Sequence, residues 1–113
     1  MEILRGERVT AAEVVPGVEN SRFGEGSEMS LIRYEISPGE RVPEHSHPHE
    51  QVGYVLAGHP TVIQAEQTTM APGDGYVIPG GERHGFANET DSPVVGIDVF
   101  SPPRAVAPFA AEK

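Results

Sequence analysis

The most informative stretch of the sequence reads Gly39-Glu-Arg-Val-Pro-Glu-His45-Ser-His47-Pro-His49-Glu50-Gln51. Residues two apart lie on the same face of a β-strand, so His45 and His47 are predicted to project the same way. Two neighbouring imidazoles can each direct a nitrogen at one ion, as a metal site requires, although such a pair on its own is more often exposed to solvent. The amide oxygen of Gln51, on the next strand, and the imidazole of His84, on a later one, could complete the ligand set.

Outward from this stretch, the sequence reads as short β-strands joined by tight turns. Apolar and charged residues alternate through 32–36, the pattern of a half-buried strand. Pro-Gly pairs at 38–39, 72–73 and 79–80 are typical of the central positions of tight turns. The predicted strands cover 32–36, 41–47, 51–57, 61–65, 76–78, 83–87 and 94–100. About eight strands without helical periodicity indicate an all-β sandwich or barrel, of which the jelly roll is the eight-stranded form.

The length of 113 residues indicates a single domain covering 1–113, because a chain of this size builds one modest core. Residues 1–28 are polar and glycine-containing, and they are interpreted as a loosely ordered lead-in or an edge strand. Residues 105–113 are interpreted as a tail.

Composition excludes several classes of function. A formal net charge of −9 opposes nucleic acid or an anionic membrane as a main partner, because phosphate binding needs clustered Lys and Arg. The chain has no cysteine, which excludes disulfides, thiolate zinc sites and cysteine nucleophiles. The first residues lack the apolar core of a secretory signal, and a cytoplasmic location is therefore expected.

The spacing of glycines and histidines carries a family resemblance. Gly39 stands six residues before His45 and Gly58 seven after Gln51, and a second motif reads Gly73-x5-Pro79-x-Gly81-x2-His84-x3-Asn88. This resembles the two-motif signature of the cupin superfamily, with nine of its ten defining positions matched. The resemblance implies a cupin jelly roll and one divalent metal ion (Zn, Ni, Fe or Mn) held by the three histidines at 45, 47 and 84.

The departure from the signature is Gln51, where the general motif has glutamate. A slip of one register position would make Glu50 the ligand instead, but it would turn every neighbour to the other face, and the spacing to Gly58 favours Gln51. A neutral amide beside three neutral imidazoles leaves the full +2 charge on the metal, which favours polarisation of a carbonyl or a bound water over oxygen activation.

Two further positions suggest a pocket near the metal. Gly53 has the same parity as Gln51, so it either leaves room beside the metal or is a strand glycine at a bulge. Asp98 alternates with apolar residues: it is buried and functional if its face points inward, or solvated if the opposite face (95, 97 and 99) is the buried one.

The segments 45–56 and 98–104 resemble, more narrowly, small single-domain cupins of the pectin-degradation type, which linearise unsaturated monouronates. The resemblance implies a metal on His45, His47, Gln51 and His84. It also implies that a pocket aspartate, phenylalanine and arginine fall on Asp98, Phe100 and Arg104. In this interpretation Asp98 transfers a proton, Arg104 grips a carboxylate, and Gly53 and Phe100 contact the substrate. His49 is interpreted as a loop or outer-shell residue rather than a ligand.

The leading functional hypothesis is therefore a metal-dependent isomerase or lyase-type enzyme acting on a small oxygenated molecule, with ring opening or tautomerisation of an unsaturated uronate as the best candidate. Two alternatives stay open: cyclisation of an aromatic polyketide, which demands a larger apolar cavity, and non-enzymatic binding of a small molecule around a structural metal. A homodimer is expected, because a small sandwich leaves apolar surface and strand edges to cover.

Overall fold

The computed structural model describes residues 1–105, which form ten β-strands after a short 3-10 turn at Gly6–Arg8. The strands are β1 (Ala12–Val15), β2 (Val18–Glu25), β3 (Ser30–Ile36), β4 (Arg41–His45), β5 (Glu50–Ala57), β6 (Thr61–Ile63), β7 (Thr68–Thr69), β8 (Gly75–Ile78), β9 (His84–Ala87) and β10 (Val94–Ser101). Over this part of the chain, no helix is both long and apolar enough to cross a membrane.

The strands form two antiparallel sheets. The larger sheet has the order β1-β2-β3-β10-β5-β8, and the smaller has the order β4-β9-β6-β7. Strands distant in sequence are neighbours in space, as when β10 pairs with both β3 and β5. This arrangement confirms the predicted all-β jelly-roll sandwich.

The core lies between the two sheets and follows from strict alternation along the central strands. In β3 every second residue from Ser30 to Ile36 is buried, and in β10 every second residue from Val94 to Phe100 is buried. Because successive side chains point to opposite faces, this places Asp98 on the inner face. The apolar core consists of Val14, Val18, Tyr34, Ile36, Val55, Met70, Ile78, Phe86 and Val94.

The Pro-Gly turns form as predicted at two positions. Gly39 and Gly73 have positive φ values of 79° and 95°, the left-handed region that side-chain-bearing residues rarely adopt. These two turns connect β3 to β4 and lead the chain into β8.

The amino-terminal segment differs from the sequence-based expectation. Residues 12–15 and 18–25 form β1 and β2 rather than a loose lead-in. β1 is an edge strand of the larger sheet, which agrees with the alternative expectation, but β2 lies inside that sheet, paired with β3 along most of its length. Val14 and Val18 are buried in the core, whereas most of the other positions in β1 and β2 are polar, so the apolar alternation that marks a strand is too sparse to detect. The expected tail at 105–113 lies, except for Ala105, outside the described residues.

Candidate metal centre

Three histidines from different parts of the chain converge between the sheets. His45 ends β4 and is the register partner of His84, which begins β9, while His47 lies two residues beyond β4. One ligand atom from each ring lies within 4.8 Å of the others, so the three side chains could hold a metal ion. His84 is 1% exposed and His47 is 7% exposed.

Backbone carbonyls fix the orientation of all three rings. The Nδ1 atoms of His45, His47 and His84 lie 2.8, 3.1 and 2.9 Å from the carbonyl oxygens of Pro43, His49 and Glu82. A carbonyl oxygen can only accept, so each Nδ1 carries the hydrogen and each Nε2 keeps its lone pair. Metal-binding histidines are commonly oriented in this way.

The buried lone pair of His84 fits a cation. Within residues 1–105 the Nε2 of His84 is buried and has no hydrogen-bonding partner in the protein, which is unfavourable unless another group satisfies it. A divalent metal that accepts imidazole nitrogen meets that need.

Burial keeps these rings neutral. It lowers the pKa of His45 and of His47 to about 4, and the positive charge of Arg104 acts in the same direction on both. Burial also lowers the pKa of His84. Because the neutral ring is the form that binds a metal, the site does not have to lose protons at neutral pH in order to bind one.

Gln51 lies beside the cluster, and Glu50 does not. The Gln51 side chain is 3% exposed, and its Oε1 lies 3.2 Å from Nε2 of His47. Glu50 is exposed, on the opposite face of β5. The structure thus places the side chain predicted as the fourth ligand next to the three histidines; ligation itself stays a prediction.

Asp98 is the carboxylate of the site. It is 7% exposed, and it accepts a hydrogen bond of 2.5 Å from the Tyr76 hydroxyl and another from the Gln51 amide. Burial raises its pKa to about 6, although these hydrogen bonds and the charge of Arg104 act in the opposite direction. A carboxyl group with this pKa can take up and release a proton near neutral pH.

Arg104 follows the last strand and folds back over the mouth of the site. Its guanidinium carbon lies 5.1 Å from the centroid of the Phe100 ring, and the residue is 9% exposed. Its backbone is held by the buried Ser30: the Arg104 N–H donates to Ser30 Oγ over 2.9 Å, and Oγ donates to the Arg104 carbonyl over 3.4 Å. The structure therefore brings Arg104 and Phe100 to the same cavity as the histidines.

The sequence left two interpretations of Gly53 open, room beside the metal or a strand glycine at a bulge. A β-carbon built at Gly53 would overlap the Tyr76 ring and the Asp98 carboxylate, so the space that the glycine leaves is occupied by these two side chains. Contact of Gly53 with a substrate stays a prediction. The space over Gly53 is occupied because Tyr76, its register partner on β8, leans across it.

Sequence reasoning did not identify Ser30, Tyr34 or Tyr76 as part of the site. Tyr34 was recognised only as a strand residue, and no local motif marks Tyr76, although its pairing with a glycine is a signal once the register is known. His49 takes the expected supporting position: it is partly buried, and its carbonyl accepts the hydrogen bond from His47.

Comparison with known proteins agrees with this arrangement. The cupin domain model matches residues 32–100. The structure is similar to that of KdgF from Halomonas sp., with a TM-score of 0.84 and 25% identity, covering 92% of this chain and 96% of that one. It is also similar to the polyketide cyclase RemF from Streptomyces resistomycificus, with a TM-score of 0.80 and 25% identity, covering 89% and 79%.

A curated relative matches over a shorter region. Gentisate 1,2 dioxygenase 1 of Aquipseudomonas alcaligenes is 34% identical over 65 residues, which is 56% of this chain. The matched region spans only 19% of the length of that protein.

Proposed function

The chain belongs to the cupin domain family, and from that premise we propose that it is a metal-dependent isomerase of small carboxylated molecules, with an unsaturated uronate as the preferred substrate. The observation that carries the proposal is that three histidines converge, and that two of them, His45 and His84, line one cavity with a buried carboxyl group and a guanidinium. These are the groups needed to polarise an oxygen, move a proton and bind a carboxylate.

His45, His47, Gln51 and His84 would hold the ion. When bound, it supplies Lewis-acid polarisation of a substrate oxygen. Because all four side chains are neutral, they leave its +2 charge undiminished, and this supports polarisation rather than oxygen activation. Imidazole-rich sites accept Zn, Ni, Fe or Mn, and the occupant depends on metal availability in the cell as well as on the geometry of the site.

Asp98 would act as the general acid and base. Ring opening of a 4,5-unsaturated uronate removes the proton of the anomeric hydroxyl, which becomes a carbonyl as the ring C–O bond breaks. The former ring oxygen is left as an enolate, which becomes a ketone when its carbon is protonated. The net change is an isomerisation, so one carboxyl group that accepts and returns a proton is sufficient. A pKa of about 6 suits both roles.

Arg104 would bind the substrate carboxylate. Its planar guanidinium can donate two parallel hydrogen bonds to a carboxylate, and Phe100 supports it from below. Within residues 1–105, Arg104 is the only buried cationic Arg or Lys side chain, so an anion entering the cavity has one positive partner.

The cavity beside the histidines is small. It measures about 40 Å³, and it is lined by polar groups of His45, Gln51, Asp98 and Arg104 and, on its other sides, by apolar side chains such as those of Ile36 and Phe86. This volume admits a small oxygen-bearing group of a substrate rather than fused aromatic rings, and the polar groups beside Asp98 and Arg104 support an acid as that substrate. The likeness to RemF keeps the polyketide as the competing substrate for the test.

The test begins with elemental analysis of the purified protein and of single histidine variants. We expect about one divalent metal per chain, strongly reduced in H45A, H47A and H84A and unchanged in H59A, whose side chain is exposed. Gln51→Ala is expected to reduce occupancy, with Glu50→Ala as its matched control. A metal that survives loss of the histidines would overturn the proposed site.

The second step assays the loaded protein with unsaturated monouronates and with an aromatic polyketide. We expect turnover of the uronate, abolition by D98N, and a KM raised roughly ten- to a hundredfold by R104Q, the range for losing a charged hydrogen bond. Turnover of the polyketide alone, or oxygen consumption by the Fe(II) form, would replace the proposed reaction. Ligand-induced stabilisation without turnover would indicate a binding protein.

A further inference from the structure

Two tyrosines on the inner face of the larger sheet reach toward each other across glycines. Tyr34 on β3 is the register partner of Gly96, and Tyr76 on β8 is the register partner of Gly53. A β-carbon at Gly96 would overlap the Tyr34 hydroxyl, and one at Gly53 would overlap the Tyr76 ring. The two missing side chains therefore let the hydroxyls meet beside Asp98, which pairs with Gly53 from the other side.

These groups form a hydrogen-bonded chain that runs from Tyr34 to Gln51, whose side chain lies at the metal centre. The hydroxyl oxygens of Tyr34 and Tyr76 are 3.0 Å apart, and the Tyr76 hydroxyl donates to Asp98 Oδ1 over 2.5 Å. Asp98 is also hydrogen-bonded to the side chain of Gln51, whose Oε1 faces Nε2 of His47 at 3.2 Å.

The chain has a single consistent direction. An ionised carboxylate only accepts, so the Gln51 amide must present its NH₂ group to Asp98 and its oxygen to the histidines. A phenol has one hydrogen, so when Tyr76 donates to Asp98 its oxygen is left to accept from Tyr34. The lone pair on His47 Nε2 would by itself favour the flipped amide, with the NH₂ group of Gln51 toward His47. The flipped amide would, however, set the Gln51 oxygen against the ionised Asp98 carboxylate, so Asp98 disfavours it.

We propose that Tyr34 and Tyr76 are positioning residues which, through Asp98, hold the Gln51 amide with its oxygen toward the metal position. The inference rests on the proposed metal site and assigns a role to two residues that would not touch the ion. It also gives a reason for an amide at position 51, because a glutamate there would set a second buried carboxylate against Asp98.

The test uses Co²⁺ alone as the probe, added to the metal-free full-length protein, and compares three tyrosine-to-phenylalanine variants. We expect Tyr76→Phe to weaken Co²⁺ affinity about tenfold, the lower end of the range for losing a residue that supports a ligand, and to shift the visible absorption of bound Co²⁺. Tyr34→Phe should change both in the same direction by a smaller factor. Tyr54→Phe, on the exposed face of β5, is the matched control and should match wild type.

The outcomes separate this inference from the proposed function. Wild-type protein that binds no Co²⁺ refutes the metal site itself. Wild-type binding that is unchanged in Y76F, in both affinity and spectrum, refutes the positioning role and leaves the metal site standing.

A second comparison does not depend on the metal. In metal-free protein, Gln51→Glu should lower the denaturation midpoint, and adding Asp98→Asn should restore most of the loss, because the new amide can donate to the new carboxylate. Equal denaturation midpoints for Q51E and Q51E/D98N would show that residues 51 and 98 are not coupled. That result would refute the positioning role of Tyr34 and Tyr76 even if Y76F failed to fold.

Discussion

Replacing Gly53 with alanine should damage the site from within the sheet. Gly53 has a backbone conformation open to alanine, so the effect comes from the added methyl group rather than from strain. That methyl would lie far inside the ~3.5 Å at which carbon atoms touch, against both the Tyr76 ring and the Asp98 carboxylate. The ring would have to retreat by about 1 Å or more, which is enough to break its 2.5 Å hydrogen bond to Asp98.

The expected loss combines two contributions. Overpacking in a well-packed interior costs about 1–3 kcal/mol, and losing a hydrogen bond to a charged group costs about 1.5–3 kcal/mol. Since the ring is only partly buried and can relax outward, we expect a total near 2–4 kcal/mol.

Urea denaturation of metal-free protein measures this loss, with Gly75→Ala as the control. Gly75 lies on β8 and is exposed, and its β-carbon would come no closer than 3.5 Å to the Gly53 carbonyl, an ordinary contact. A G53A midpoint equal to wild type would refute the claim that Tyr76 fills the space over Gly53. Equal losses in G53A and G75A would show that any alanine in these strands is harmful, and would refute it as well.

Three further predictions concern stability and assembly. Asn88→Ala should lower the free energy of unfolding in urea by about 2–4 kcal/mol, because the buried amide donates to the carbonyls of Ile36 and Ser92. The control Glu89→Ala, at an exposed position, should leave it unchanged, and a loss below ~1 kcal/mol in N88A would contradict the prediction. Acidification from pH 6.5 to 4 should lower the melting temperature of metal-free protein, because the unfolded chain gains protons on its histidines that the folded site, with a pKa of about 4 at His45 and His47, does not bind. The raised pKa of Asp98 makes the folded state gain stability on acidification, but this is one group against the three histidines, whose pKa values are all lowered. A melting temperature that rises on acidification would contradict the lowered pKa values of the histidines. We expect the exposed apolar side chains on the outer face of β5 and β8 to form the interface of a homodimer. The double variant Leu56→Asp/Val77→Asp should then be monomeric in light scattering, whereas the control Ile3→Asp should stay dimeric. A monomeric wild-type protein would refute this interface.

Local patterns in the sequence predict the central strands and the histidine cluster well. The alternation through 32–36 and 94–100 reports directly which face is buried. The two-residue spacing predicts that His45 and His47 point the same way, and the two come together even though β4 ends at His45 and His47 lies two residues beyond it. At Asp98 the alternation alone fits either face, and the structure decides between them because the face of β10 that carries Val94, Asp98 and Phe100 is the buried one.

The missed features all depend on long-range pairing. β1 and β2 are stabilised by docking onto β3 rather than by their own composition. The role of Tyr76 depends on the register that sets it against Gly53, and that of Ser30 on a contact with a residue 74 positions away. Such relations arise only when distant strands meet, so a reading of neighbouring residues does not contain them.

The position of Arg104 beyond the last strand has a consequence for how proteins of this type diversify. In the proposed function the barrel would supply the ion ligands and the acid–base group, whereas the anion-binding residue would come from a short segment that is held by Ser30 and, through the Ser101 hydroxyl, by the Glu28 carbonyl. Substitutions or insertions in that segment would alter which molecule is accepted while leaving the two sheets in place. Because the charge of Arg104 also lowers the pKa of His45, His47 and Asp98, a change at position 104 would alter the acid–base chemistry as well. A library at residues 102, 103 and 105 is therefore a compact starting point for engineering new specificity.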